Sequence, residues 1–229
     1  MFAYAMNDLS DSSVVITAYY SDPSGITNAG SAYVFTKNSG GSWVQSAKIL
    51  ATDASSGDVF GQSAAGLTSS KLVIGSVYDD LTSVSTTGSA YVFTSSGGGS
   101  WVQSAKLAAT DAGNADRFGN AMTRVDDSKV IIGSPYDDDM GIQSGSAYVF
   151  TSTGSGGSWV QAAKLLASDG HSSQYFTSPA GLSSTSAAIA AMEDSDKASG
   201  AGAAYVFTSN GGGTWNQMDK VLASDGSAG

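Results

Sequence analysis

The sequence contains no cysteine, so it can form neither disulfides nor thiolate metal sites. Histidine occurs once, at His171, and arginine twice, at Arg117 and Arg124. Positive charge is scarce: 10 Lys and Arg against 20 Asp and Glu leave a net charge of −10. Nucleic-acid binding draws its affinity from Lys and Arg that neutralise phosphates, so no nucleic-acid partner is expected. Anionic membrane surfaces are disfavoured on the same ground. No apolar run approaches the ~20 residues of a membrane-spanning helix, and no membrane insertion is expected. The opening Met1-Phe2-Ala3-Tyr4 lacks the basic and apolar stretches of a secretory signal.

Catalytic groups are equally thin. A hydrolytic triad needs a histidine beside a nucleophile and an orienting carboxylate. The single candidate, His171, follows the loop Ser168-Asp169-Gly170. The glycine runs are not followed by the Gly-Lys-Ser/Thr of a phosphate cradle. Paired carboxylates are plentiful, but adjacent loop aspartates have no evident means of holding two distinct pKa values. No catalytic residue is assigned, and a non-enzymatic role is expected.

What the chain does contain is a repeat. Ala-Tyr-Val-Phe-Thr recurs at residues 32–36, 90–94, 147–151 and 204–208. Trp43, Trp101, Trp159 and Trp215 follow the four copies, and Lys48, Lys106, Lys164 and Lys220 stand five residues beyond each tryptophan. Phe2, Phe60, Phe118 and Phe176 lie 58 residues apart upstream. The units run approximately over residues 2–59, 60–117, 118–175 and 176–229. In the second, strand-like runs occupy 60–67, 71–76, 89–94 and 100–108, divided by Ser, Gly and Asp.

Leu72-Val73-Ile74 and Tyr91-Val92-Phe93 are apolar at consecutive positions. A sandwich strand alternates because one face is wet, whereas a propeller blade is covered on both sides. Short strands in four-stranded units of this period predict an all-β fold, a propeller of antiparallel blades. The repeated lysine falls on the fourth, outermost strand, where it is expected to discourage edge-to-edge pairing.

These residues resemble the FG-GAP repeats of integrin α-chain propellers. Phe60-Gly61 is followed by Gly75-Ser76-Val77, and Phe118-Gly119 by Gly133-Ser134-Pro135. In the outer copies Phe2-Ala3 pairs with Thr17-Ala18-Tyr19, and Phe176-Thr177 with Ala191-Met192-Glu193. Tyr91, Trp101, Tyr148 and Trp159 complete the set of structural repeat residues. The resemblance implies a seven-bladed ring of which four blades are present, an adhesion-type binding function, and an extracellular, secreted or lumenal setting. It also implies a calcium loop between strands 1 and 2. The residues there, such as Thr68-Ser69-Ser70 and Ser183-Ser184-Thr185, do not supply the oxygen ligands calcium wants.

The turn Ser209 to Trp215 also resembles the Asp-box of sialidase propellers, but a sialidase clamps its substrate with three arginines and this chain has two.

In an up-and-down blade, the strand 2–3 and blade-to-blade loops share one face, and most of the 20 acidic residues fall in them. The ligand-face candidates are Asp79, Asp80, Tyr136, Asp137, Asp138 and Asp139. No cofactor is expected beyond weak calcium at Asp137 to Asp139. The expected function is an interaction module presenting this face to a protein or glycan. The alternative is a structural subunit of a larger assembly, and a sialidase-like enzyme stands third.

Overall fold

The computed structural model describes residues 2–81, 84–153, 158–211 and 213–227. Among these residues there is no α-helix, only a 3-10 turn at Pro23–Gly25. The first sheet comprises β1 (Met6–Ser10), β2 (Ser13–Ala18), β3 (Ser31–Lys37) and β4 (Trp43–Ile49). The second comprises β5 (Phe60–Thr68), β6 (Lys71–Ser76), β7 (Ser89–Gly97) and β8 (Ser100–Leu107). The third is built from β9 (Ala121–Asp126), β10 (Lys129–Ser134), β11 (Ser146–Thr153) and β12 (Ser158–Leu165). The fourth holds β13 (Phe176–Ser183), β14 (Ser186–Ala191), β15 (Ala203–Ser209) and β16 (Trp215–Val221). Each sheet is antiparallel, its strands in chain order, and forms one propeller blade.

The doubly apolar strands do what their pattern requires. Tyr91 and Phe93 pack towards blade 1, beside Val15, Ala32 and Val34. Val92 points the other way, towards Phe118, Tyr148 and Phe150 of blade 3. Blades 3 and 4 meet in the same manner, with Val149 against Phe176, Tyr205 and Phe207. The core is thus a series of blade-to-blade layers. In every layer a phenylalanine at or just before the first strand meets the tyrosine edge-on, at 5.6 Å for Phe60–Tyr91 and 5.5 Å for Phe118–Tyr148. Trp101, Trp159 and Trp215 each pack into the layer shared with the preceding blade. Trp43, in blade 1, is exposed.

The Phe-Gly and Gly-Ser-Pro motifs have one shared cause. A Cβ at Gly75 would lie 2.1 Å from the Gly119 carbonyl oxygen of the next blade, and one at Gly133 the same distance from that of Thr177. Gly61 and Gly119 also take positive φ, at 103° and 89°. The two motifs are the two sides of one backbone-to-backbone contact.

Strand register corrects the fourth copy. Ala190 lies opposite Ala204, as Gly75 lies opposite Ala90 and Gly133 opposite Ala147. The triplet there is Ala190-Ala191-Met192, one residue earlier than the sequence placed it, because the first hairpin of blade 4 is one residue shorter.

The third and fourth strands of every blade share a bulge, between Val34 and Phe35, Val92 and Phe93, Val149 and Phe150, and Val206 and Phe207. Beyond it the register sets Tyr33 opposite Lys48, Tyr91 opposite Lys106, Tyr148 opposite Lys164 and Tyr205 opposite Lys220. That pairing builds the charged sites described next.

Candidate functional site

The repeated lysine is no edge guard. Lys164 reaches Asp137 at 2.9 Å, Asp111 at 2.8 Å and Asp139 at 2.7 Å, while the Tyr148 hydroxyl donates to Asp137 at 2.7 Å. Lys220 repeats the arrangement with Asp169, Asp194 and Asp196, and Tyr205 donates to Asp169 and Asp194, both at 2.8 Å. In blade 2, Lys106 binds Asp53 and Asp79 at 2.7 and 2.8 Å, and Asp79 also accepts from Ser89 and Tyr91. The first aspartate of each set comes from the segment entering the blade and the second from its strand 2–3 loop. The expectation of an edge role was wrong because it ignored the strand bulge, which turns the lysine onto the tyrosine side.

Burial pushes the Asp137 carboxyl up, but hydrogen bonds from Tyr148 and Lys164 outweigh it and hold the pKa below the usual carboxylate range. Asp194 is carried down to about 2, burial again being overcome by Lys220, Tyr205 and Gln174. A second buried carboxylate goes the other way. Burial raises Asp58 and Asp116 to about 6, opposed by the Ser55 and Gly113 N–H groups they accept. In blade 4 the corresponding position is Gln174, which donates to Asp194 and Tyr205, both at 2.7 Å.

The six ligand-face candidates therefore divide. Asp79 and Asp137 are buried in the lysine networks. Asp139 is at the rim of one of them. Asp80 and Asp138 close their own loops, accepting the N–H groups of Thr86 and Gln143 at 2.6 Å. Tyr136 lies in a row that the sequence reading did not assemble. The Arg117 guanidinium sits 4.2 Å from the Tyr136 ring centre and 5.1 Å from that of Tyr78. Tyr136 meets Tyr175 edge-on at 5.6 Å, and the Tyr175 hydroxyl donates to Gln143 at 2.7 Å. Towards blade 1, Tyr4, Tyr19 and Tyr20 stack in turn, at 4.2 and 4.1 Å. The available signal was spacing: Tyr20, Tyr78 and Tyr136 stand 58 residues apart, as do Val59, Arg117 and Tyr175. An open cleft of 790 Å³ adjoins the row, with Tyr78, Asp58 and Asp80 in its wall.

Two carboxylate groups have the spacing to hold a cation, Asp111–Asp137–Asp139 and Asp169–Asp194–Asp196. A lysine ammonium already lies within ion-pair distance of all three members of each. A metal at Asp137 to Asp139 would have to displace Lys164. The strand 1–2 links are two-residue turns, such as Ser69-Ser70 and Asp127-Ser128, too short for the six or more oxygens calcium takes. Arg124 pairs with Asp127 at that end of blade 3, so it does not converge with Arg117 on the loop face. His171 is exposed and hydrogen-bonds the Ser172 carbonyl next to it.

Among solved structures, the chain is similar to Sqt1 of Saccharomyces cerevisiae, with a TM-score of 0.59 and 10% identity over 96% of this chain and 48% of that one. It is also similar to PpgL, a periplasmic gluconolactonase of Pseudomonas aeruginosa, with a TM-score of 0.62 and 12% identity over 97% of this chain and 58% of that one. Both are β-propellers, and the chain spans about half the length of each. At such identities the likeness is one of fold. No curated protein matches the sequence. The FG-GAP repeat family model matches residues 43–93, 101–150 and 159–207. Each match starts on a fourth-strand tryptophan and runs through the first three strands of the next blade, so the family unit spans a blade-to-blade layer. With most of its length matched and the Phe-Gly contacts in place, the chain belongs to the FG-GAP repeat family.

Proposed function

We propose that the chain is a non-enzymatic binding module that presents its loop face to a protein or glycan partner. The observation that carries this reading is the row of Tyr78, Arg117, Tyr136 and Tyr175, continued by Tyr4, Tyr19 and Tyr20. An acidic loop face needs only carboxylates to stay solvated. Stacked tyrosines with an arginine among them instead offer flat apolar area, hydrogen-bonding edges and little rotamer entropy to lose. The lysine–carboxylate networks lie beneath this face and hold its loops in place, and their closed pairing offers no free acid–base couple.

The test is a screen of the purified chain against a glycan array and a panel of purified proteins. Tyr136→Ala and Arg117→Gln should each weaken a genuine interaction by about ten-fold or more, the loss typical of a central anchor residue. Binding unchanged by both substitutions would remove this face from the function. Substrate turnover abolished by His171→Ala or Asp79→Asn would overturn the non-enzymatic reading.

A further inference from the structure

The strand 1–2 turns and the strand 3–4 hairpins emerge together, on the face away from the aspartate loops. Between blades 1 and 2 this face opens into a pocket of 610 Å³, within the roughly 300–1,000 Å³ of ordinary ligand sites. Its wall is unlike the rest of this acidic chain. Serine and threonine hydroxyls, the run Gly97 to Gly99, Val34 and Trp101 make it up, and no charged residue lines it.

Each part of the wall has a local cause. Val34 faces blade 2, and Thr36, two residues further along β3, shares that face. Trp101, near the start of β8, packs against the same layer from blade 2 and is half-buried. The hairpin before it leans onto blade 1, where a Cβ at Gly99 would lie 2.6 Å from the Ser46 carbonyl oxygen. Several hydroxyls are already used. Ser46 donates to the Val34 carbonyl at 3.1 Å, and Ser10 and Ser13 share a bond of 2.6 Å. Those of Thr36 and Ser69 have no hydrogen-bond partner among the described residues.

The later layers show what closes such a pocket. Ser13 lies opposite Thr36 as Lys71 lies opposite Thr94 and Lys129 opposite Thr151. The Lys71 ammonium sits 5.9 Å from the centre of the Trp159 ring. Lys129 is tied to Asp126 and to the Ser184 carbonyl, both at 3.1 Å, and the pocket beside Trp215 measures 280 Å³. With serine at position 13, no cation covers Trp101 among the described residues.

We propose that the pocket between blades 1 and 2 is a second binding site, and that it takes a neutral glycan segment with one sugar ring on Trp101. An ionic ligand would give up its water and find no opposite charge in the wall. A wholly apolar one would leave the Thr36 and Ser69 hydroxyls dry and unpaired. A sugar ring brings C–H groups to an indole face, and its hydroxyls both donate and accept, as those of serine and threonine do. The net charge of −10 works against an acidic polysaccharide. An extended peptide anchors along a strand edge with pockets for alternate side chains, whereas this wall presents one ring and scattered hydroxyls. The site lies on the opposite face from Tyr78, Arg117 and Tyr136, so it does not depend on what the loop face binds.

The experiment is calorimetric titration of the full chain with maltohexaose, cellohexaose, chitohexaose and mannohexaose. Hexagalacturonate and a panel of aromatic peptides serve as comparisons. At least one neutral oligosaccharide should bind, and Trp101→Ala should weaken it by about ten-fold or more, as loss of a central aromatic anchor does. Trp101 also packs into its layer, so a second variant leaves that packing intact. Ser13→Lys puts at this position the residue that blades 2 and 3 already carry there; the chain should stay folded and lose affinity to a similar extent. Tyr136→Ala should leave this binding unchanged. Binding that survives both Trp101→Ala and Ser13→Lys would overturn the proposal, and its loss in Tyr136→Ala instead would move the glycan to the loop face. No binding of any neutral oligosaccharide at millimolar concentration would also overturn it. So would hexagalacturonate binding as tightly, or aromatic peptides binding where no glycan does.

Discussion

Blades 1 and 3 share strand order, bulge and tyrosine–lysine register, yet their charged sites differ completely. In blade 3, Tyr148 and Asp137 are buried and Lys164 holds three carboxylates. In blade 1, Ser21 stands where Asp79 stands in blade 2, and its hydroxyl bonds Ser31 at 2.6 Å. Tyr33 is only half-buried there, and Lys48 has no carboxylate among the described residues. The difference shows what the network requires. A buried aspartate is stabilising only when a preceding blade both excludes water and brings a second carboxylate to the lysine. In blade 1 a neutral hydroxyl pair stands in place of the aspartate.

The sharpest way to break this comparison is to remove the lysine from each blade. Lys164→Met leaves the buried Asp137 without its cation and two further carboxylates close by. Removing one member of a buried ion pair typically costs about 3–5 kcal/mol. Lys48→Met, in dilute solution, should cost less than about 0.5 kcal/mol because nothing charged is stranded. Urea unfolding of both variants checks this. The Lys164→Met deficit should also shrink at acid pH, where protonation relieves the three carboxylates. Equal losses from the two substitutions would mean that Lys164 acts through packing alone.

The fold was legible because its signals repeat. Tyr91-Val92-Phe93 is apolar on both faces only if both faces are covered, and the 58-residue period fixes what covers them. The second-blade strands were found with the third cut short: β7 continues to Gly97, three residues beyond the expected end, because the hairpin closes through Gly97 and Ser100. The site was less legible. A two-residue period puts side chains on alternate faces, so a single bulge on the fourth strand reverses the face on which Lys106 and Lys164 emerge. Nothing local to Trp-Val-Gln marks that bulge. Asp79 and Asp137 were read as surface ligands because adjacent aspartates look solvent-facing, whereas loop geometry buries the first of each pair and exposes the second. The Arg117 stack required knowing that two loops from successive connections lie side by side.

A smaller effect separates Asp116 from its neutral counterpart Gln174. Asp116 has a folded pKa of about 6, above the ordinary 3.8, so the folded state holds its proton more tightly than the unfolded state. The stability linked to that proton is complete below about pH 4 and is lost as pH rises towards 6. Asp116→Asn should therefore gain about 1 kcal/mol at pH 7 and nothing at pH 4, after allowance for screening. Asp53, Asp137, Asp169 and Asp194 have lowered pKa values and work in the opposite sense. Their contribution is present at neutral pH and is lost as pH falls below about 4 towards 2. Urea midpoints across this range should peak in mild acid for the wild type, and the peak should broaden towards neutrality in Asp116→Asn. A variant less stable than wild type at pH 7 would show that the Gly113 N–H bond matters more than the buried charge.

The smallest expected effect is also the most direct test of why blade 1 differs. Ser21→Asp places a carboxylate at the position of Asp79, beside Ser31 and on the side of Lys48. With Tyr33 and Lys48 only partly covered, the new ion pair forms in contact with water. Exposed pairs contribute between about 0 and 1 kcal/mol, and salt screens them. Ser21→Asp should therefore change the stability of the monomer by no more than about 0.5 kcal/mol in either direction, and that change should vanish in molar salt. A gain of about 2 kcal/mol or more that persists in salt would show that Lys48, Tyr33 and one aspartate suffice without a preceding blade. The contrast between blades 1 and 3 would then rest on residue choice at position 21 and not on burial.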